Sequence, residues 1–185
     1  MAKRLMMTSF TTWKPEQTSN SSDDLMLAML DKGMVSPTQV VRLLPVHFEE
    51  APRRAIDYFN TFQPDGVVCF GMAEKRDRLN LERQAVREDH TRQTRLPLES
   101  WLEELSFTDI SDDAGKFVCN HLYYELLDYV QQHHPEKFVL FIHVPVLTAE
   151  NKAAILQDIQ VIMGRLHAIP AGSPQPIAPV TPLLR

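Results

Sequence analysis

Apolar positions along the chain alternate between two kinds of pattern. RLMMTSF, QVVRLLPV, DGVVCFG and FVLFIHV are strand-length runs that are apolar almost throughout, and LSFTDIS is a weaker fifth. A strand with one wet face alternates apolar and polar residues. Several of these runs do not, which predicts strands covered on both faces. Between the runs the spacing becomes helical. Asp23 and Asp24 precede LMLAML, and EEAPRRAIDYFNTF places Ala55, Ile56, Phe59 and Phe62 at helical spacing. AGKFVCNHLYYELLDYVQQHH does the same with Phe117, Leu122, Leu126, Leu127 and Val130. AENKAAILQDIQVIMGRLHAI, with Thr148 as its N-cap, supplies a last amphipathic helix. Strands alternating with helices predict an α/β sheet flanked by helices. The final stretch, IPAGSPQPIAPVTPLLR, has five prolines and neither period. It divides the chain into an α/β domain over 1–169 and a Pro-rich tail over 170–185 that stays extended or disordered.

Composition narrows the function. The 185 residues, 44% hydrophobic and 23% charged, suffice for one domain with a sizeable core. The start, MAKRLMMTSF, has a basic pair but an apolar stretch too short for a signal peptide, and no run approaches a membrane span. A cytoplasmic protein with no membrane partner is expected. A net charge of −5 argues against a general nucleic-acid binder, leaving only a local basic groove open. Gly66 and Gly71 lack the spacing of a phosphate-binding loop, so no nucleotide is implied. The two cysteines, Cys69 and Cys119, form neither a disulfide framework nor a zinc motif, which points to a reducing compartment and no metal.

The candidate chemistry starts from those cysteines. Cys69 lies inside GVVCFG, a central strand by pattern, where a buried cysteine is a core filler. Cys119 falls where a β-like run turns into a helix. With a helix start near Asp113 or Ala114 it would lie in an early turn, where the positive helix end favours a thiolate. A nucleophilic cysteine also needs a basic partner. Of the seven histidines, His133 and His134 close a helix beside Pro135, His47 and His90 lie in loops, and His167 is near the end of the last helix. His121 would point to a different helix face from Cys119. His143 remains, following FVLFI at the C-terminal end of a strand, the sheet edge where ligands collect. A core cysteine and a structural histidine are still the alternatives at this point.

The residues around both groups carry a resemblance. SDDAGKFVCNHLYYELL followed by FIHVP is similar to the cysteine and histidine motifs of the pyroglutamyl peptidase I, or pyrrolidone carboxyl peptidase, family. Those motifs run approximately S-x-x-A-G-x-[FY]-x-C-N-x-x-x-Y and F-[IV]-H-[VI]-P. A third family motif, E-R-x-A shortly after G-x-A-x-x-R, matches GMAEKRDRLNLERQAV and places the family's catalytic glutamate on Glu82. LLPVHFEEA resembles the LPV-x-F segment, and SFTTW looks like the G-F-E-P-F turn whose aromatics hold the substrate ring, with Phe10 and Trp13 in the aromatic places. EDHTR sets Arg92 on the arginine of the family's D-D-A-R segment. The resemblance runs from about Lys3 to Ala168.

The resemblance implies a three-layer αβα sandwich around a mainly parallel twisted sheet, and a cysteine peptidase that needs no cofactor. Its substrate would be a peptide blocked at its N-terminus by a pyroglutamyl or related small cyclic acyl group. Cys119 would attack the carbonyl, His143 would carry the proton, Glu82 would orient the imidazole, and Arg92 would add a donor to the oxyanion beside the Cys119 amide. A homo-oligomer is left open. The chain also departs from the pattern. The long loop after Arg92 is shortened, Met72 stands at a polar position on the ring-binding side, and Glu74 and Lys75 replace two glycines of that turn. These departures predict retained catalytic machinery in a more open, less selective pocket. They also support a second reading, a binding protein that keeps the scaffold without turnover, which the retention of all three catalytic groups opposes.

Overall fold

Leu5 to Phe10 is buried at every position, as is Phe138 to Val144, and Gly66 to Met72 is buried up to its last residue. These are the uninterrupted apolar runs, and they form the centre of the sheet because helices cover both of its faces. The computed structural model describes residues 3–170. In chain order the strands are β1 (Leu5–Phe10), β2 (Val40–Leu44), β3 (Gly66–Met72), β4 (Leu79–Glu82), β5 (Gln84–Arg87), β6 (His90–Gln93), β7 (Thr108–Ser111) and β8 (Phe138–Val144). The helices are α1 (Ser21–Asp31), α2 (Glu50–Phe62), α3 (Val118–His133) and α4 (Lys152–Ala168). The tail expected over 170–185 lies, after Pro170, outside the described residues.

Six strands form one sheet in the order β2-β1-β3-β8-β4-β7, and β5 and β6 form a separate hairpin. All neighbours in the large sheet are parallel except β4 and β8, which run antiparallel. The α/β expectation is therefore met, with a mainly parallel sheet. Val67, Cys69, Val139 and Phe141 face α2 and α3, whereas Val68, Phe70, Leu140 and Ile142 face α1 and α4. Successive residues of one strand thus serve two cores, as the two-residue period of a strand requires.

The pattern does not announce β4, β5 and β6. Each has four residues, and only Leu79 and Leu81 of β4 alternate with polar neighbours over so short a span. Two helix starts also differ from expectation. Asn20 caps α1, accepting the Ser22 N–H, so that helix begins before Asp23. Asn151 occupies the N-cap of α4, and Thr148 sits one turn earlier, its hydroxyl accepting the Asn151 N–H. Among the described residues, no helix is long and apolar enough to cross a membrane.

Candidate active site

The C-terminal ends of β1, β3 and β8 lie along one edge of the sheet, the place where open α/β folds bind ligands. Gly71, near the end of β3, lets α3 approach that edge. A Cβ at this position would lie 2.8 Å from the Phe141 ring and 3.1 Å from Cys119 Cβ. A larger residue would clash with that ring and crowd the cysteine.

The start of α3 sets the thiol. Gly115 takes a left-handed φ of +74° and Phe117 is still extended, so the helix begins at Val118 rather than near Asp113 or Ala114. Cys119 is consequently in the first turn, where backbone amides have no carbonyl partner within the helix. The first to reach back is that of His121, to the Phe117 carbonyl at 3.1 Å. Two further contacts fix this end of the helix. Asn120 accepts the Val86 N–H at 3.1 Å and donates to the Val86 carbonyl at 2.7 Å. Tyr123, one turn beyond Cys119, donates its hydroxyl to the Glu82 carbonyl at 2.9 Å.

Strand register supplies the other two groups. Glu82 pairs with Phe141 across the antiparallel β4–β8 ladder, and opposed residues share a face. His143, two residues beyond Phe141, is therefore on the same face as Glu82. Its Nδ1 lies 2.6 Å from Glu82 Oε1, and its Nε2 lies 3.7 Å from Cys119 Sγ. Oε1 also accepts from the Arg76 guanidinium at 2.7 Å, so it acts as an acceptor and Nδ1 carries the imidazole proton. Nε2 is left to accept from the thiol. Glu82 is fully buried, and its Oε2 has no hydrogen-bond partner among the described residues.

Burial pushes the Cys119 thiol up to about 11; the Asn120 and Cys119 amides and Arg76 act against this, while the Glu82 charge adds to it. Desolvation outweighs the helix amides and so favours the thiol form. The helix amides do favour the thiolate, as expected, but burial opposes them. Cys69, fully buried in β3, is pushed higher still, to about 12, by burial alone, with Thr8 opposing. Among the described residues, no group of three or more His, Cys, Asp or Glu side chains is placed to hold a metal.

Phe10, Trp13 and Met72 line one small cleft together with Cys119. Asn20, Val46 and Phe117 line it as well, and the Trp13 and Phe117 rings tilt against each other at 5.7 Å. Glu74, which stands in place of a glycine of the family turn, binds the loop that carries Trp13. It pairs with Lys14 and accepts from Gln17, whose own side-chain oxygen accepts the Trp13 N–H at 3.0 Å. Polar contacts thus strap the loop on that flank of the cleft.

Arg92 is the predicted site residue that the structure does not bring to the thiol. Its guanidinium is held by Asp128 at 2.7 Å and lies over the Tyr124 ring. Asp128 is nine residues past Cys119, roughly 13 Å along the helix at 1.5 Å per residue. The guanidinium is committed to Asp128 and the Tyr124 ring, whereas the amides of Cys119 and Asn120 border the sulfur. Sequence reasoning gave no part to Arg76, although it is the arginine of the quoted G-x-A-x-x-R turn. That arginine was the available signal.

Fold and site together define a class: an α/β protein with a thiol, an imidazole and a carboxylate in hydrogen-bonded series at the C-terminal sheet edge, the arrangement of a cysteine hydrolase. The family model described as Pyroglutamyl peptidase matches residues 99–161. The pyrrolidone-carboxylate peptidase of Alkaliphilus oremlandii is 31% identical, over 66% of this chain and 79% of its own. That of Brachyspira hyodysenteriae is 30% identical, over 63% of this chain and 71% of its own. The chain belongs to this cysteine peptidase family, the pyroglutamyl or pyrrolidone-carboxylate peptidases. Its fold is likewise similar to the pyroglutamyl peptidase I structure from Bacillus amyloliquefaciens, with a TM-score of 0.75 and 21% identity over 91% of this chain and 96% of that one.

Proposed function

We propose that the protein is a cysteine peptidase that removes an N-terminal pyroglutamyl residue from a peptide, with Cys119 as nucleophile, His143 as base and acid, and Glu82 as the group that orients the imidazole. The observation that carries this reading is the unbroken series Sγ, Nε2, Nδ1, Oε1, opening onto a cleft walled by Phe10, Trp13 and Met72. Because burial favours the thiol form, the first step is general-base catalysis. Sγ bonds to the carbonyl carbon as its proton passes to Nε2, and Glu82 stabilises the imidazolium so formed. The unpaired amides at the start of α3 face the developing oxyanion. As the tetrahedral intermediate collapses, the C–N bond breaks and the amine leaves with the proton from Nε2. The thioester that remains is attacked by water, which gives one proton to Nε2, and the C–S bond breaks to release pyroglutamate and restore the thiol.

The flat faces of Phe10 and Trp13 suit a small planar lactam, and an N-terminus already closed into that ring needs no ammonium-binding group. Two free cysteines support placement in a reducing, cytoplasmic compartment. A scaffold without turnover finds no support, since all three groups are assembled within reach of one another. The test is a pyroglutamyl aldehyde, with turnover of a pyroglutamyl fluorogenic amide measured alongside. Stoichiometric addition to Cys119, absent in Cys119→Ala, together with turnover that the aldehyde blocks, is the expected result. No addition and no turnover would sink the assignment.

A further inference from the structure

We infer that Arg76 is the positioning residue of this site, holding the Glu82 carboxylate in place for His143 and tying both to the segment that launches the nucleophile helix. This rests on the catalytic roles proposed above. The geometry has two halves. Toward the acid, Arg76 Nη1 donates to the oxygen, Glu82 Oε1, that also faces His143 Nδ1. Toward the nucleophile, Nη2 donates to the Asp113 carbonyl at 2.8 Å and to Ser111 Oγ at 3.3 Å. Ser111 ends β7 and Asp113 belongs to the loop that enters α3, so one guanidinium joins the β3–β4 turn, the acid and the approach to Cys119.

The need for such a group follows from burial. Glu82 is wholly inside the protein, and a buried carboxylate is costly unless a charge and hydrogen bonds compensate it. While His143 is neutral it supplies only an N–H. The neighbouring Arg83 is turned away to Asp112 and Glu99, which leaves Arg76, partly exposed at its outer side, as the cation paired with Glu82 among the described residues. A planar fork that binds a carboxylate with one nitrogen and a backbone carbonyl with the other also fixes direction, which a lysine does less well.

The role predicts effects on chemistry rather than on substrate affinity. Arg76→Met should lower kcat roughly 10–100-fold, the usual scale for losing a supporting hydrogen-bond partner, with KM changed by less than about threefold. Arg76→Lys should recover part of kcat. The second readout needs no substrate. The charged groups facing Cys119 are Glu82 on β4, Arg76 on the β3–β4 turn and, when protonated, His143 on β8. Arg76 holds the thiol pKa down and Glu82 raises it, so removing the guanidinium moves the pH profile of Cys119 alkylation upward and slows labelling at pH 8. A merely structural strap would leave that profile in place in the folded variant. Should Arg76→Met fail to fold, Arg76→Gln, which keeps hydrogen-bonding capacity without the charge, carries the same two measurements.

An unaltered kcat and an unaltered alkylation profile in folded Arg76→Met or Arg76→Gln overturn the inference. If wild-type protein instead cleaves no pyroglutamyl amide while the alkylation profile still moves, the substrate assignment falls and the positioning role stands.

Discussion

The relay side and the clamp side of the cleft are built by different means. Glu82 and His143 stand on adjacent strands, Cys119 on the first turn of a helix pressed onto the same sheet, and all three are buried. On the clamp side only Phe10, at the end of β1, is buried in the core; Trp13, Phe117 and Met72 stand at element ends and in a loop, half-buried or exposed, joined by ring contacts and by the Glu74 strap. On one side geometry is set by ladder register and core packing, on the other by surface polar contacts that salt and substitution can loosen. Chemistry should therefore be brittle and specificity adjustable. The experiments that would break this contrast can be ordered by size.

The largest effect belongs to the relay. Cys119→Ala and His143→Ala should each lower turnover of a pyroglutamyl amide by about 10⁴-fold or more, while Glu82→Gln, which keeps the shape, should leave a larger remainder. Steady-state rates decide this, and an active Cys119→Ala protein would remove the mechanism. Next comes the thiol. With Cys119 pushed up to about 11, iodoacetamide labelling of the resting protein should climb close to tenfold per pH unit between about pH 7 and 10, because only the thiolate reacts. Cys69, pushed to about 12 inside β3, should stay unlabelled throughout. A plateau by pH 8 in the mass-spectrometric time course would show a preformed thiolate and refute the base-catalysed first step.

Smaller changes should appear on the clamp. Trp13→Ala should raise KM roughly tenfold, the scale of an aromatic contact worth about 1–1.5 kcal/mol, with less effect on single-turnover acylation at saturation. A fall in acylation as large as the rise in KM would erase the division between the two sides. Glu74→Gly should raise KM only a few-fold, and less at high salt, because exposed ion pairs are screened. Lys14 and Gln17 hold the Glu74 pKa below its ordinary value, so the strap is intact at neutral pH and is lost only as pH falls below the usual carboxylate range. A KM in wild-type protein that rises already between pH 7 and 6 would mean that something other than this strap holds the Trp13 loop.

The same contrast explains what could be seen in the sequence. β1, β3 and β8 were legible because burial on both faces writes continuous apolar runs, and α2 through Ala55 and Phe59 because one helical face enters the core. The hairpin of β5 and β6 was not, since its residues are mostly partly exposed or exposed and no period marks them. Cys119, His143 and Glu82 stood out through the motifs around them. Arg92 could be aligned but not placed, because an arginine on a polar segment goes to the nearest carboxylate, and Asp128 is far along the chain. Arg76 was equally silent about its partner: six residues separate it from Glu82 and thirty-seven from Asp113, and the folded turn brings both to it.

The place of β8 has a consequence for how the molecule comes into being. Among the described residues it is the last strand along the chain, yet it fills the gap between β3 and β4, sixty-one residues separating Glu82 from His143. Contacts so distant along the chain form late and slowly. A chain still emerging from the ribosome, or one refolding from denaturant, holds its thiols uncovered and its catalytic apparatus unmade until β8 docks. Hydrolytic activity is then a stopwatch for the final insertion of that strand. Refolding without a reductant should lose molecules to oxidation during the interval before the clock starts.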